Sequence, residues 1–263
     1  MKIWTVANQK GGVGKTTAVV TLAGWLQARG HRVLLVDLDP QASLTSYFSQ
    51  DAEAASRSVY NLFDDRRTRA ADLLLPTAGD GPALLAAVPA LATLDRQLGS
   101  QKGQGLILRQ ALAPLAGQFD NVLLDCPPTL GILMINALAA ADRVVVPTQT
   151  EHLALKGLER MTRTLEMVNR SRPHRLQHLI VPTMFDRRTR ASNHALEELR
   201  SRYQGTELWS GVVPVDTRFR EASEQGKSLS QLAPGSRGAE AFLRLLDDLL
   251  ALDHNEADQR VVA

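Results

Sequence analysis

Five short apolar runs constrain this chain more than anything else in it: KIWTVA (2–7), RVLLVD (32–37), NVLLDC (121–126), RVVVPT (143–148) and HLIVPT (178–183). None alternates apolar with polar residues, as a strand with one wet face does. They are expected as strands covered on both faces, the condition of a parallel sheet. Helical patterns fall between them. Residues 16–29 set Val19, Val20, Leu22, Ala23 and Leu26 along one side and stop at Gly30, and residues 153–168 and 191–203 repeat the amphipathic spacing. This alternation predicts an α/β fold, a doubly wound and mostly parallel sheet with helices on both faces and ligands at the carboxyl ends of the strands. At 263 residues and 44% hydrophobic, the chain is expected to make a single domain over 1–263. Residues 51–118 carry no readable motif beyond two loop-like stretches, TAGDGP (77–82) and GSQKGQG (99–105).

The first run leads into NQKGGVGKTT (8–17) and then into a helical pattern. A glycine-rich turn between a strand and a helix start is a phosphate site, because backbone N–H groups close around the oxygens and the helix terminus adds positive potential. Gly11, Gly12, Val13, Gly14, Lys15, Thr16 and Thr17 are the expected phosphate contacts, with Lys15 on the terminal phosphates and the Thr16 hydroxyl on Mg²⁺. The usual G-x-x-x-x-G-K-[ST] form needs a glycine at position 9, where Gln9 stands, followed by a second lysine, Lys10.

Carboxylates sit where a nucleotide site needs them. VDLDPQ (36–41) ends one strand with Asp37 and Asp39, and LLDCPP (123–128) ends another with Asp125, the position from which an aspartate holds Mg²⁺. A single cysteine, Cys126, permits neither an internal disulfide nor a Cys-based metal cage within one chain, and is expected as a small buried hydrophobe.

In order along the chain, KGGVGKTT (10–17), VLLVDLDPQ (33–41), NVLLDCPP (121–128), PTQTEHLALKGLERM (147–161) and VPVDTRFREA (213–222) resemble the ParA/MinD group of P-loop ATPases with a deviant Walker A motif. The resemblance implies ATP and ADP with Mg²⁺ as cofactors, and an ATPase that is slow and partner-stimulated. It implies that Lys10 reaches the ATP of a second subunit in an ATP-dependent homodimer, and that Asp39 activates water while Asp37 and Asp125 lie with Thr16 at the metal. Base contacts are implied at Met184, Phe185, Pro214 and Asp216, although many relatives carry Arg-Asn where this chain has Val215-Asp216. The strings VPTMFDRRTRAS (181–192), VPVDTRFREAS (213–223) and GSRGAEAF (235–242) are similar to the ParC branch of chemotaxis gene clusters. That branch implies polar localisation of chemosensory arrays, with a ParB-like or ParP-like activator or chemosensory proteins as partners. Chromosome or plasmid partition is the alternative.

The chain carries 30 basic and 28 acidic residues, so a polyanion surface has to be local. Residues 151–246 hold 16 Lys and Arg against 11 Asp and Glu, and Arg188, Arg218, Arg220 and Lys227 are the expected contacts to nonspecific DNA. The end of the chain, 247–263, reads as an acidic helix end and tail, which anionic lipid repels, so MinD-like membrane association is disfavoured. No membrane insertion is expected, and the location expected is the cytoplasm of a bacterium, at the nucleoid or a cell pole.

Overall fold

The strands are β1 (Lys2–Val6), β2 (Val33–Asp37), β3 (Ala83–Leu85), β4 (Asn121–Asp125), β5 (Arg143–Gln149) and β6 (Gln177–Thr183). In the computed structural model they form one sheet in the order β3-β2-β4-β1-β5-β6, with every pairing parallel. The structure describes residues 1–262 apart from 53–55, 80, 100–102 and 204, without the side chains of 206 and 256–262. Helices connect the strands: α1 (Lys15–Ala28), α2 (Ser43–Tyr47), α3 (Tyr60–Asp64), α4 (Leu91–Gly99), α5 (Ile107–Leu112), α6 (Ile132–Ala140), α7 (His152–Asn169), α8 (Arg190–Arg202), α9 (Arg218–Glu224), α10 (Leu229–Leu232) and α11 (Arg237–Val262).

The apolar runs are strands because consecutive side chains point to opposite faces and both faces are covered. Along β2 and β4, Leu34, Val36, Val122 and Leu124 join one core with Leu133 and Leu138 of α6 and Leu158 and Met161 of α7. Their neighbours Leu35 and Leu123 join the other core, with Val19, Leu22 and Leu26 of α1 and Phe242, Leu245 and Leu249 of α11. The short strand β3, absent from the sequence reading, is Ala-Leu-Leu. It carries no β-branched residue and takes its conformation from pairing with Leu34, Leu35 and Val36. Cys126 is buried, as expected.

The acidic end of the chain, expected as a helix end and tail, belongs to α11, which runs to Val262. α11 docks on the body, and every tryptophan of the chain donates its indole N–H to it: Trp4 to Asp253 Oδ2 (2.9 Å), Trp25 to the Ala239 carbonyl (3.0 Å) and Trp209 to Asp248 Oδ2 (2.7 Å). Arg143 Nε donates to the other Asp253 oxygen at 2.9 Å, and Asp247 pairs with Arg29. Asp253 is therefore a docking group, since a buried indole N–H and guanidinium need an acceptor, whereas Asp247 and Asp248 pair at the surface. Glu256, Asp258 and Arg260 have side chains outside the described ones.

Candidate phosphate and metal site

The carboxyl ends of β1, β2 and β4 converge, with Val6 opposite Asp125 and Asp37 opposite Asp125 in the register of the sheet. The loop from β1 to α1 is tied to the neighbouring strand ends. Asn8 Nδ2 donates to the carbonyl of Pro147, within β5 (2.8 Å), and Thr183 Oγ1, at the end of β6, donates to the Val13 carbonyl (2.9 Å). Gly12 and Gly14 have φ of 76° and 90°, a region where a side chain would be strained, so these two positions need glycine. α1 then starts with no side-chain cap and no acidic residue in its first turn. Its first N–H groups are left for an anion.

Lys15 is buried and its Nζ lies 3.5 Å from the Lys10 carbonyl, a long contact for an ammonium. Thr16 Oγ1 donates to Asp125 Oδ2 at 2.6 Å. The second oxygen, Asp125 Oδ1, is buried with no hydrogen-bond partner among the described residues. Burial, with repulsion from Asp37, raises the Asp125 pKa, and burial likewise raises that of Asp37. Two buried carboxylates at one register position cannot both ionise cheaply without a cation beside them. A carboxylate bonded to Thr16 in the first turn of an uncapped helix, with its other oxygen unsatisfied, fits a phosphate held with a divalent cation.

The two aspartates of VDLDPQ divide their work. Asp37 is fully buried; its Oδ2 accepts from the Thr45 N–H and Thr45 Oγ1, both at 2.8 Å, and its Oδ1 accepts the Asp39 N–H at 3.0 Å. Asp37, expected at the metal, thus has both oxygens engaged by the protein. Asp39 is largely buried beside the site, with Oδ1 accepting the Gln41 N–H at 2.9 Å. Ala42, the residue after Gln41, has φ of 51°, so this loop holds a strained non-glycine residue.

The segment before the glycines is held by α7. Gln9, standing where the usual motif has glycine, donates Nε2 to Thr164 Oγ1 at 2.7 Å, and Arg160 reaches the Gln9 carbonyl at 3.4 Å. Lys10 is half-buried against Gly157 of the same helix. Sequence reading missed Gly157, Asn8 and Thr45. The signal for Gly157 was a lone glycine inside an amphipathic helical pattern, a spacing that marks a packing need.

On the far side of the site, Met184 has φ of 52° and is partly exposed, and Phe185 pairs with the 213–215 segment through Phe185 N–H to Val213 O (3.0 Å) and Val215 N–H to Phe185 O (3.1 Å). This brings Met184, Phe185 and Pro214 together beyond β6. Asp216, expected at the base, accepts the Arg218 N–H with Oδ1 (3.1 Å) and the Gly238 N–H with Oδ2 (3.0 Å), fixing the starts of α9 and α11. Arg218, Arg220 and Lys227 are exposed. Arg188 is exposed as well, but its fork closes on Asp186 at 2.9 and 2.8 Å, which neutralises it locally.

A family model described as an AAA domain matches residues 1–178. The chain is 42% identical over 247 residues to the chromosome-partitioning ATPase Soj of Thermus thermophilus, with 94% of each chain covered. It is 36% identical over 264 residues to the chromosome partitioning protein ParA of Myxococcus xanthus, covering 100% of this chain and 92% of that one. Among solved structures, cobyrinic acid a,c-diamide synthase from Mycobacterium smegmatis with bound ATP analog and magnesium matches with a TM-score of 0.82 and 35% identity, covering 95% of this chain and 94% of that one.

Proposed function

The chain belongs to the AAA-domain family whose members include the ParA and Soj partitioning ATPases, and on that premise we propose that it positions a cellular cargo by cycling between an ATP-bound homodimer and a monomer. It is an ATPase that takes ATP with Mg²⁺. The observation that carries the site reading is the 2.6 Å bond from Thr16 to Asp125 beside the partnerless Asp125 Oδ1.

Bound Mg²⁺ supplies positive charge that offsets the charge of the phosphates during transfer to water. Thr16 and Asp125 hold it, and Asp37 stiffens their surroundings through Thr45. The N–H groups from Gly11 to Thr17 cradle the phosphates, and Lys15 neutralises those of its own subunit. Asp39 orients the attacking water and accepts its proton. Lys10 reaches the nucleotide of the second subunit, so the dimer forms when the terminal phosphate is present. Met184, Phe185 and Pro214 contact the base. Phosphate release measured with and without Mg²⁺ in the parent and in Thr16→Ala tests the site: metal-independent turnover, or an unaffected variant, would refute it.

Turnover is slow until a partner of the ParB or ParP kind accelerates it. The cargo is a chemosensory array, on the strength of the strings at 181–192, 213–223 and 235–242. Partition of chromosome or plasmid DNA is the competing reading, and the names of the relatives favour it. Arg218, Arg220 and Lys227 supply the DNA surface in either case. No helix among the described residues is long and apolar enough to cross a membrane. A fluorescent fusion followed before and after deletion of the chemoreceptor arrays separates the readings. Polar foci that disperse with the arrays support the first, and nucleoid-wide movement unaffected by the deletion refutes it.

A further inference from the structure

We propose that the hollow between α3 and α5 is a docking site for an acidic segment of a partner protein that carries Leu or Ile side chains. The hollow has a volume of about 320 Å³, and its floor is made by the buried Leu62, Ile107 and Leu115. Arg66, Arg67 and Arg69 stand at its mouth, all exposed, on the turn that leaves α3. That turn is set locally, by Asp65 accepting the Arg67 N–H at 2.9 Å.

The cations at the mouth are weakly compensated. Arg66 is steered by a neutral group, Gln104 Oε1. Arg69 meets Asp72 only at 3.9 Å, with both side chains mostly in water, an ion pair of little strength. Arg67 has no carboxylate within ion-pair distance among the described residues. Three positive heads over an apolar floor complement a segment with carboxylates outside and an aliphatic side chain inside. Duplex DNA is the poorer fit, because a phosphate backbone gains nothing from a recessed apolar floor.

The position of the hollow gives this docking a use. Gln118, on its wall, precedes by two residues Asp120, whose carbonyl accepts the Lys2 N–H where β1 begins. The hollow is thus at the amino ends of the strands and the phosphate site at their carboxyl ends, roughly 15 Å of strand away. A partner held there leaves the nucleotide face free for a second subunit.

The experiment is a selection of displayed random dodecapeptides on the full chain, followed by fluorescence anisotropy with the enriched peptides in labelled form. The expected consensus is Asp or Glu around Leu or Ile. Affinity is expected to fall about tenfold or more in Arg66→Glu/Arg67→Glu, and also in Ala111→Arg, which fills the hollow from α5. ATP binding by both variants is expected to match the parent, which separates a lost docking site from a lost fold. Basic or neutral consensus sequences, no enrichment, equal affinity in the variants, or displacement of the peptide by a DNA duplex would each overturn the proposal.

Discussion

Gly157 of α7 lies so close to Lys10 that a β-carbon added at 157 would stand 2.8 Å from the Lys10 β-carbon. Real β-carbons do not approach so near, so the lysine that departs from the usual phosphate loop is aimed by a helix remote in sequence. Gly157→Ala sets two effects against each other. Alanine favours the helix by about 1 kcal/mol, while the overlap forces the Lys10 loop to move at a cost of about 1–3 kcal/mol. The expected outcome is a folded protein whose ATP-dependent dimerisation, followed by analytical ultracentrifugation, is weakened at least as much as its stability. Unchanged dimerisation would detach α7 from the role proposed for Lys10.

Lys10→Ala is expected to bind ATP with near-parental affinity and to stay monomeric with saturating ATP and Mg²⁺. The reason is that Lys15, which serves the subunit's own phosphates, is untouched. Light scattering that shows equal dimer in variant and parent would make Lys10 a plain loop lysine.

Asp39→Ala is expected to bind ATP and accumulate as the dimer, with hydrolysis reduced by a factor on the order of 10²–10⁴, the range for losing a general base. Among the described residues its carboxylate accepts only the Gln41 N–H, so folding is not expected to suffer. A monomer in saturating ATP would contradict the assignment.

Asp125→Asn removes the acid whose second oxygen has no partner among the described residues. The Mg²⁺ concentration needed for half-maximal turnover is expected to rise about 10–100-fold, the usual scale for weakening a metal's supporting groups. Titration of hydrolysis with Mg²⁺ measures this directly. A parental titration curve would place the cation elsewhere.

Asp253→Ala takes the acceptor from both Trp4 and Arg143 in the core beneath α11. Breaking such a buried charged network costs about 3 kcal/mol, or about 10 °C in melting temperature for a chain of this size. Urea denaturation followed by tryptophan fluorescence is a sensitive readout, since every tryptophan donates to this helix. A loss under ~0.5 kcal/mol would mean that the helix docks by its apolar face alone.

For DNA, Arg218→Glu/Arg220→Glu is expected to weaken binding and flatten its salt dependence, whereas Arg188→Ala is expected to change little because its charge already meets Asp186. Binding measured across a salt series distinguishes them. A larger effect from Arg188 would move the DNA surface to the loop after β6.

The residues adjacent in sequence were legible because their chemistry is local. The buried strands follow from unbroken apolar runs, and the glycines before Lys15 and Thr16 follow from a turn that must bare N–H groups. Asp125 is readable as a carboxylate ending such a run. The 51–118 stretch hid both β3 and the arginine-lined hollow, since three residues become a strand only when β2 pairs with them and a cavity exists only once two helices meet.

What the sequence determined by itself was the layered α/β plan and the order of the phosphate and carboxylate motifs, each written within a few consecutive residues. The tertiary structure alone decided the division of labour. It turned Asp37 toward Thr45 and left Asp125 half-satisfied, gave Asp216 to two helix starts, and drew Asp248 and Asp253 of the acidic end to tryptophans over more than 30 residues of chain. Such roles depend on which buried donor lies nearest in space, and burial is settled only when the whole sheet and its covering helices have closed.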